Sequence, residues 1–157
     1  MTLRDAAPED ASAICALNAA SVEQLSPMDA SQLAAFARAA CCLRVAELGG
    51  AVAGFLLAFR KGADYGGAIF ALFDAQPADF IYIDRVVVGE AWRGQGLAGR
   101  LYDDLAVFAR AIGVPRLVCE AYTTNGASLR FHARQGFRET GRHLSHDRPV
   151  ALLERTL

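Results

Sequence analysis

Six residues, Arg93-Gly94-Gln95-Gly96-Leu97-Ala98, carry the densest chemistry in this sequence. They lie between an apolar strand-like run and the most regular helical run. Glycine lets backbone N–H groups approach a ligand closely, because no Cβ stands in the way. A helix N-terminus adds partial positive charge, so the segment reads as a cradle for a pyrophosphate. Arg93 can add a bidentate contact to a phosphate. The plain alternative is a tight strand-to-helix turn with no ligand. The segment also fits G-x-G-x-x-G through Gly94, Gly96 and Gly99, with Glu120 roughly where a ribose-binding acid would sit. Three features weigh against a dinucleotide-binding protein. Gly89–Arg93, with Trp92, separates the strand from the glycines; the preceding residues read as antiparallel hairpin strands; and too few residues follow Glu120 for further βα units.

Metal chemistry and cysteine chemistry find little support. His143 and His146 are three apart but lack further ligands at metal spacing, so they read as surface residues and no metal is expected. Cys15, Cys41, Cys42 and Cys119 form no CxxC pair, and the adjacent Cys41 and Cys42 are badly placed for a mutual disulfide. They read as reduced, mostly buried thiols. Lys and Arg number 16 against 17 Asp and Glu, a net charge of −1 with no basic block, which excludes the electrostatic footprint of a nucleic-acid binder. Met1–Asp10 holds Arg4, Asp5, Glu9 and Asp10 and no apolar stretch, unlike a signal peptide. The longest apolar run, Ala51–Phe59, is broken by Gly54 and is too short to cross a bilayer. The expected setting is the cytoplasm, with no membrane and no nucleic acid as partner; a homodimer stays open.

The elements that must position the cradle follow from local patterning. At 157 residues, 54% hydrophobic and 21% charged, the chain suits one domain over 1–157. A chain of this size buries roughly 70% of its unfolded surface and needs no disulfide or metal to fold. A short strand at Thr2–Arg4 precedes a helix from Pro8 to about Asn18, and a second helix spans Asp29–Ala40. Cys42–Glu47 and Ala51–Arg60 flank Gly49-Gly50 as a hairpin. Lys61–Ala78 reads as a long loop, with Tyr65, Phe70 and Phe73 able to fold over an acceptor. Asp79–Val88 is the clearest strand. Gly94–Ile112 is the clearest helix, with Leu97, Leu101, Leu105, Phe108 and Ile112 on one stripe. Arg116–Tyr122 is a strand, Asn125–Gln135 a short helix closed by Gly136, and Phe137–Arg142 and Val150–Thr156 two final strands. The class is mixed α/β.

Together these motifs resemble the GNAT superfamily of N-acetyltransferases. Arg93–Ala98 matches its [Gln/Arg]-x-x-Gly-x-[Gly/Ala] signature, and Val86-Val87-Val88 stand where its central strand lies. Asn125-Gly-Ala-Ser-Leu-Arg-Phe-His-Ala-Arg-Gln-Gly-Phe137 resembles its second signature, and the Leu3-Arg4…Glu9-Asp10-Ala11 opening is similar as well. The resemblance covers essentially the whole chain. It implies the GNAT fold, a mixed and mostly antiparallel central sheet flanked by helices, and acetyl-CoA as co-substrate. It further implies cofactor contacts from Val86, Val87, Val88, Arg93, Gly94, Gln95, Gly96, Leu97, Ala98, Asn125, Ser128 and Phe131. One departure stands out: where the family usually carries a tyrosine as general acid, this chain has His132.

Acetyl transfer to a small-molecule amine needs a neutral amine, a polarised thioester carbonyl and a proton for the departing thiolate. Glu120 is the candidate base. It shares a strand face with Val118 and Tyr122, and it matches the strand glutamate that acts as base in some relatives. A structural carboxylate paired with an Arg is the plain alternative. His132 is the candidate acid, or else a wall of the site. Asp84, on the face of Tyr82 and Val86, could steer a cationic amine or simply pair with an Arg. Tyr65, Tyr82 and Tyr122 are the remaining phenols near the acceptor. A GNAT-fold module that binds acyl-CoA without catalysis, and a protein N-terminal or lysine acetyltransferase, remain alternatives.

Overall fold

A computed structural model describes residues 1–23 and 25–157. The elements run β1 (Thr2–Asp5), α1 (Ala11–Ala19), α2 (Ala30–Ala39), β2 (Cys42–Leu48), β3 (Ala51–Arg60), α3 (Ala68–Asp74) and β4 (Ile81–Val88). Then come α4 (Leu97–Ala111), β5 (Arg116–Tyr122), α5 (Gly126–Arg134), β6 (Arg138–Ser145) and β7 (Arg148–Thr156). The seven strands form a mostly antiparallel sheet in the order β1-β2-β3-β4-β5-β7-β6, with β4 and β5 parallel. The fold is therefore the mixed α/β class expected. The residues group into two compact units, Met1–Phe59 with Asp84–Leu105, and Arg60–Ile83 with Ala106–Leu157.

In the first unit, β2 pairs antiparallel with β1 and with β3. The β2–β3 turn takes positive φ at both Gly49 (55°) and Gly50 (80°), the twist that lets a two-residue hairpin close. A Cβ on Gly54 would stand 2.7 Å from the Val87 carbonyl oxygen, so β3 tolerates no side chain where it meets β4. Ile14, Met28, Leu33, Val45, Phe55 and Val87 form one buried cluster. α2 starts at a reciprocal cap: Asp29 Oδ1 accepts from Gln32 N–H at 2.8 Å, and Gln32 Oε1 accepts from Asp29 N–H at 3.0 Å. Arg85, buried on β4, donates to Asn18 Oδ1 (2.8 Å), to the Ser26 carbonyl (3.1 Å) and to Asp84 Oδ2 (2.5 Å).

The helix expected from Gly94 begins at Leu97. Gly94 (φ 76°) and Gly96 (φ 78°) are left-handed, which a right-handed helix cannot absorb. Its inward stripe also differs from the expected one. Leu97, Leu101 and Leu105 are buried, but so are Tyr102, Ala106 and Ala109, while Ile112 lies past the helix end and is exposed. Small alanines at helical spacing carry little weight in a pattern of large apolar residues, so the stripe's true direction was masked.

In the second unit, Lys61–Ala78 is not a plain loop. It contains α3, whose Ile69, Phe70 and Phe73 are buried. Glycines at 62, 66 and 67 hide this two-turn helix in the sequence; tertiary packing stabilises it, as for most short helices. Phe70 stacks edge-on against Phe80 and Tyr82, at centroid distances of 5.6 Å each. β5 pairs with β7 so that Glu120 faces Leu152 and Tyr122 faces Val150. β6 and β7 join through His146 (φ 49°) and Asp147 (φ 61°), a two-residue turn with both residues left-handed.

Candidate active site

In the first unit, the candidate feature is the Arg93–Ala98 cradle. Glu90–Trp92 makes a single 3-10 turn after β4, and the chain then runs exposed through Arg93, Gly94, Gln95 and Gly96 into the first turn of α4. The positions that a Cβ would take at Gly94 and Gly96 are open space, so nothing in the chain crowds the backbone there. The first N–H groups of a helix have no carbonyl partner within it, and they carry the positive end of the helix dipole. A loop of this shape suits an anionic diphosphate. Arg93 Nε donates to the Val88 carbonyl at 3.3 Å, which ties the loop's cation to the end of β4. On β4, Val87 is buried in the core while Val86 and Val88 are half-buried.

In the second unit, the candidate feature is a carboxylate held by a phenol. Tyr82 Oη lies 2.8 and 2.7 Å from the two oxygens of Glu120. The parallel register Tyr82↔Val118 sets Glu120 one pleat further along the same face. Tyr82 is 2% exposed, while Glu120 is half-buried. Tyr65 packs against Tyr82 at 5.8 Å and Phe70 at 5.3 Å, so two of the expected phenols share one aromatic wall. The bond from Tyr82 to Glu120 was not foreseen, since the register of two strands far apart in sequence decides it. Tyr122 follows on the face of Glu120, with the Arg148 guanidinium 3.6 Å above its ring centroid. Arg148 too was missed; the turn before it was the signal that could have raised it.

His132 sits on α5, which Asn125 caps through Oδ1 to Ser128 N–H at 3.1 Å. The ring is 6% exposed and lies edge-on to Phe131 and Phe137, each at 5.4 Å. Its Nδ1 is 2.8 Å from the Ser128 carbonyl oxygen. A carbonyl can only accept, so Nδ1 carries the proton of the neutral ring and Nε2 presents a lone pair. Burial pushes the imidazole below its ordinary range, against a smaller upward pull from the Ser128 carbonyl.

Asp84 is engaged by Arg85, and both side chains are about 5% exposed. Cysteine takes no part as a nucleophile at Cys42 or Cys119. Burial pushes the Cys42 thiol up to about 12 and raises Cys119 well above its usual range, so both stay protonated. Among the described residues, no three His, Cys, Asp or Glu side chains are grouped to hold a metal, and no helix is long and apolar enough to cross a membrane.

Known proteins bear on this geometry at two levels. No curated protein shows significant sequence similarity to the chain. Solved structures share its fold along nearly the whole length. Ard1 from Thermoplasma volcanium superposes with a TM-score of 0.81 at 18% identity, covering 99% of this chain and 97% of that one. Ribosomal-protein-alanine N-acetyltransferase from Brucella melitensis gives 0.77 at 22% identity, covering all of both chains. The protein yncA from Salmonella typhimurium, solved with its cofactor acetyl-CoA, gives 0.76 at 22% identity over all of this chain and 94% of that one. The model of the acetyltransferase (GNAT) family matches residues 10–137, which takes in the cradle, the Tyr82–Glu120 pair and α5. The chain belongs to the acetyltransferase (GNAT) family, whose acyl donor is acetyl-CoA.

Proposed function

We propose that the chain, acting as one acetyltransferase domain over 1–157, transfers the acetyl group of acetyl-CoA to a primary amine of a small-molecule or amino-acid-like acceptor by direct attack. The observation that carries this is the Glu120 carboxylate, half-buried and held by the single hydroxyl proton of Tyr82, whose oxygen lies 2.8 and 2.7 Å from its two oxygens. In this reading the Arg93–Ala98 backbone cradles the pyrophosphate, and the Val86–Val88 backbone pairs with the pantetheine arm. An N–H near Val88 polarises the thioester carbonyl, as in oxyanion sites generally. Asn125, Ser128 and Phe131 complete the cofactor contacts. Tyr65, Tyr82 and Tyr122 contact the acceptor, while Asp84, buried and paired with Arg85, serves the fold and not the acceptor. Glu120 takes one proton from the ammonium. The neutral amine attacks the carbonyl carbon, the C–N bond forms as the C–S bond breaks, and nitrogen passes its second proton to water. The thiolate takes up a proton, with His132 as candidate donor. The reading places the enzyme in the cytoplasm and leaves a homodimer open.

Thermal-shift measurements with acetyl-CoA, CoA, NAD and NADP, followed by CoA release across free amines and peptide amines, test the proposal. A ligand at 100 times its Kd adds about 2.7 kcal/mol, enough for a rise in Tm of several degrees. Stabilisation by NAD and not by CoA would sink the reading. Binding of acetyl-CoA with no amine-dependent CoA release would leave a binding module in place of an enzyme. Release with peptide amines alone would move the acceptor from a small molecule to a polypeptide.

The lowered imidazole pKa fixes where His132 can donate. A thiol that ionises near about 8.5 leaves as thiolate without help in alkaline solution. The ring is charged only below its depressed pKa, under about 6.5. Wild type and His132→Phe should therefore turn over similarly at alkaline pH. Their rates should separate as pH falls through the ring's pKa, with His132→Tyr recovering part of the difference. A rate ratio that stays constant across the pH range would make His132 a wall of the site.

A further inference from the structure

Arg148 is a cation held in place but left without an anion. It is exposed, and its guanidinium carbon lies 3.6 Å over the centre of the Tyr122 ring. Such stacking fixes the plane of the guanidinium and leaves its edge N–H groups free to donate. Among the described residues, Arg148 makes no hydrogen bond and has no carboxylate within ion-pair distance. The next residue back, Asp147, does not pair with it. The Tyr122 hydroxyl likewise has no hydrogen-bond partner among the described residues.

Strand register places this pair beside the base. Directly opposed residues of an antiparallel pair point to the same face. Glu120 opposes Leu152 and Tyr122 opposes Val150, so Arg148, two residues before Val150, projects on the face of Glu120. The His146-Asp147 turn fixes that register by forcing Ser145 opposite Arg148. The face thus carries, in order, the Tyr82-held carboxylate, the Tyr122 ring and an unpaired guanidinium. Two strand residues separate the carboxylate from the ring, roughly 7 Å along the strand. A molecule laid along this face with its amine toward Glu120 brings its next few atoms over Tyr122 and toward Arg148.

We propose that Arg148, braced by Tyr122, binds a carboxylate on the acceptor, so that the amine Glu120 deprotonates belongs to a small zwitterion of the amino-acid class. This rests on the acetyl-transfer reading above. Arg148 is a specificity residue here: it binds the acceptor's anion and takes no part in moving protons. Arg is suited to the task because its planar fork meets a carboxylate through two parallel N–H bonds.

The experiment compares kcat/KM for free amino acids with their amides, and for ω-amino acids with alkylamines of matching length. Amidation makes an α-amine less basic, so a loss of rate on amidation cannot come from a scarcer neutral amine. Wild type should favour the carboxylate member about 10–100-fold, the range for a hydrogen-bonded charged group. Arg148→Gln should bring that ratio close to one by raising KM for the carboxylate member, and Arg148→Lys should recover part of it. Equal rates for both members in wild type, or a preference that survives Arg148→Gln, overturn the proposal while acetyl transfer stands. Acetyl-CoA binding with no amine turned over removes both.

Discussion

Glu120→Gln should lower turnover by about 10²–10⁴-fold, the usual contribution of a general base, and leave acetyl-CoA affinity nearly unchanged. The amide keeps the shape of the carboxylate and can still accept from the Tyr82 hydroxyl, so the local fold is preserved while the basic oxygen is lost. The deficit should be greatest at low pH, where a neutral amine is rarest without help, and should narrow as the solution itself deprotonates the acceptor. Steady-state CoA release across pH, with acetyl-CoA affinity measured separately, distinguishes this from damage to binding. Wild-type turnover at every pH would move the base to water.

Gly96→Asp should abolish acetyl-CoA binding in a folded protein. The φ of 78° at Gly96 is left-handed, so any side chain strains the backbone there. The Cβ itself enters open space and meets no atom of the chain, so the fold need not rearrange around it. In the proposed reading that space is the pyrophosphate's, and the new carboxylate opposes a diphosphate at short range. Gly96→Ala separates the two effects, since it carries the strain without the charge. Calorimetric titration with acetyl-CoA and a circular-dichroism melt on the same samples give both answers. Undiminished affinity in folded Gly96→Asp would take the pyrophosphate away from this loop.

Much of the fold was legible because its signals are local. The Gly49-Gly50 hairpin, the short helix that opens at Asn125, and the apolar run into β4 each depend on residues a few positions apart, and each stands where the sequence placed it. α3 was not legible, because its stability comes from Phe70 and Phe73 packing on Phe80 and Tyr82 rather than from its own seven residues. The start of α4 was misplaced by three residues, because a glycine's spelling does not reveal the sign of its φ. In the site, the cradle is continuous in sequence and was read directly. The Tyr82–Glu120 bond joins residues 38 apart through a parallel register that only tertiary structure sets. The stacking of Arg148 on Tyr122 depends likewise on which residue of β7 opposes Tyr122.

Arg85 has a kinetic consequence. Residues 25–29, which carry Ser26, have no regular secondary structure, and stretches of that kind usually open on their own, well below the cost of unfolding. Here the Ser26 carbonyl and the Asn18 side chain both accept from one buried guanidinium, which also holds Asp84. If residues 25–29 swing away, the buried Arg85 guanidinium loses the Ser26 acceptor and Asn18 loses its bond to the same carbonyl, and a hydrogen bond to a charged group is among the stronger ones to give up. Opening of this stretch is therefore bound to the loosening of α1 and β4 around it. Amides near Ser26 should exchange with solvent at rates closer to those of the surrounding core than their irregular backbone would suggest.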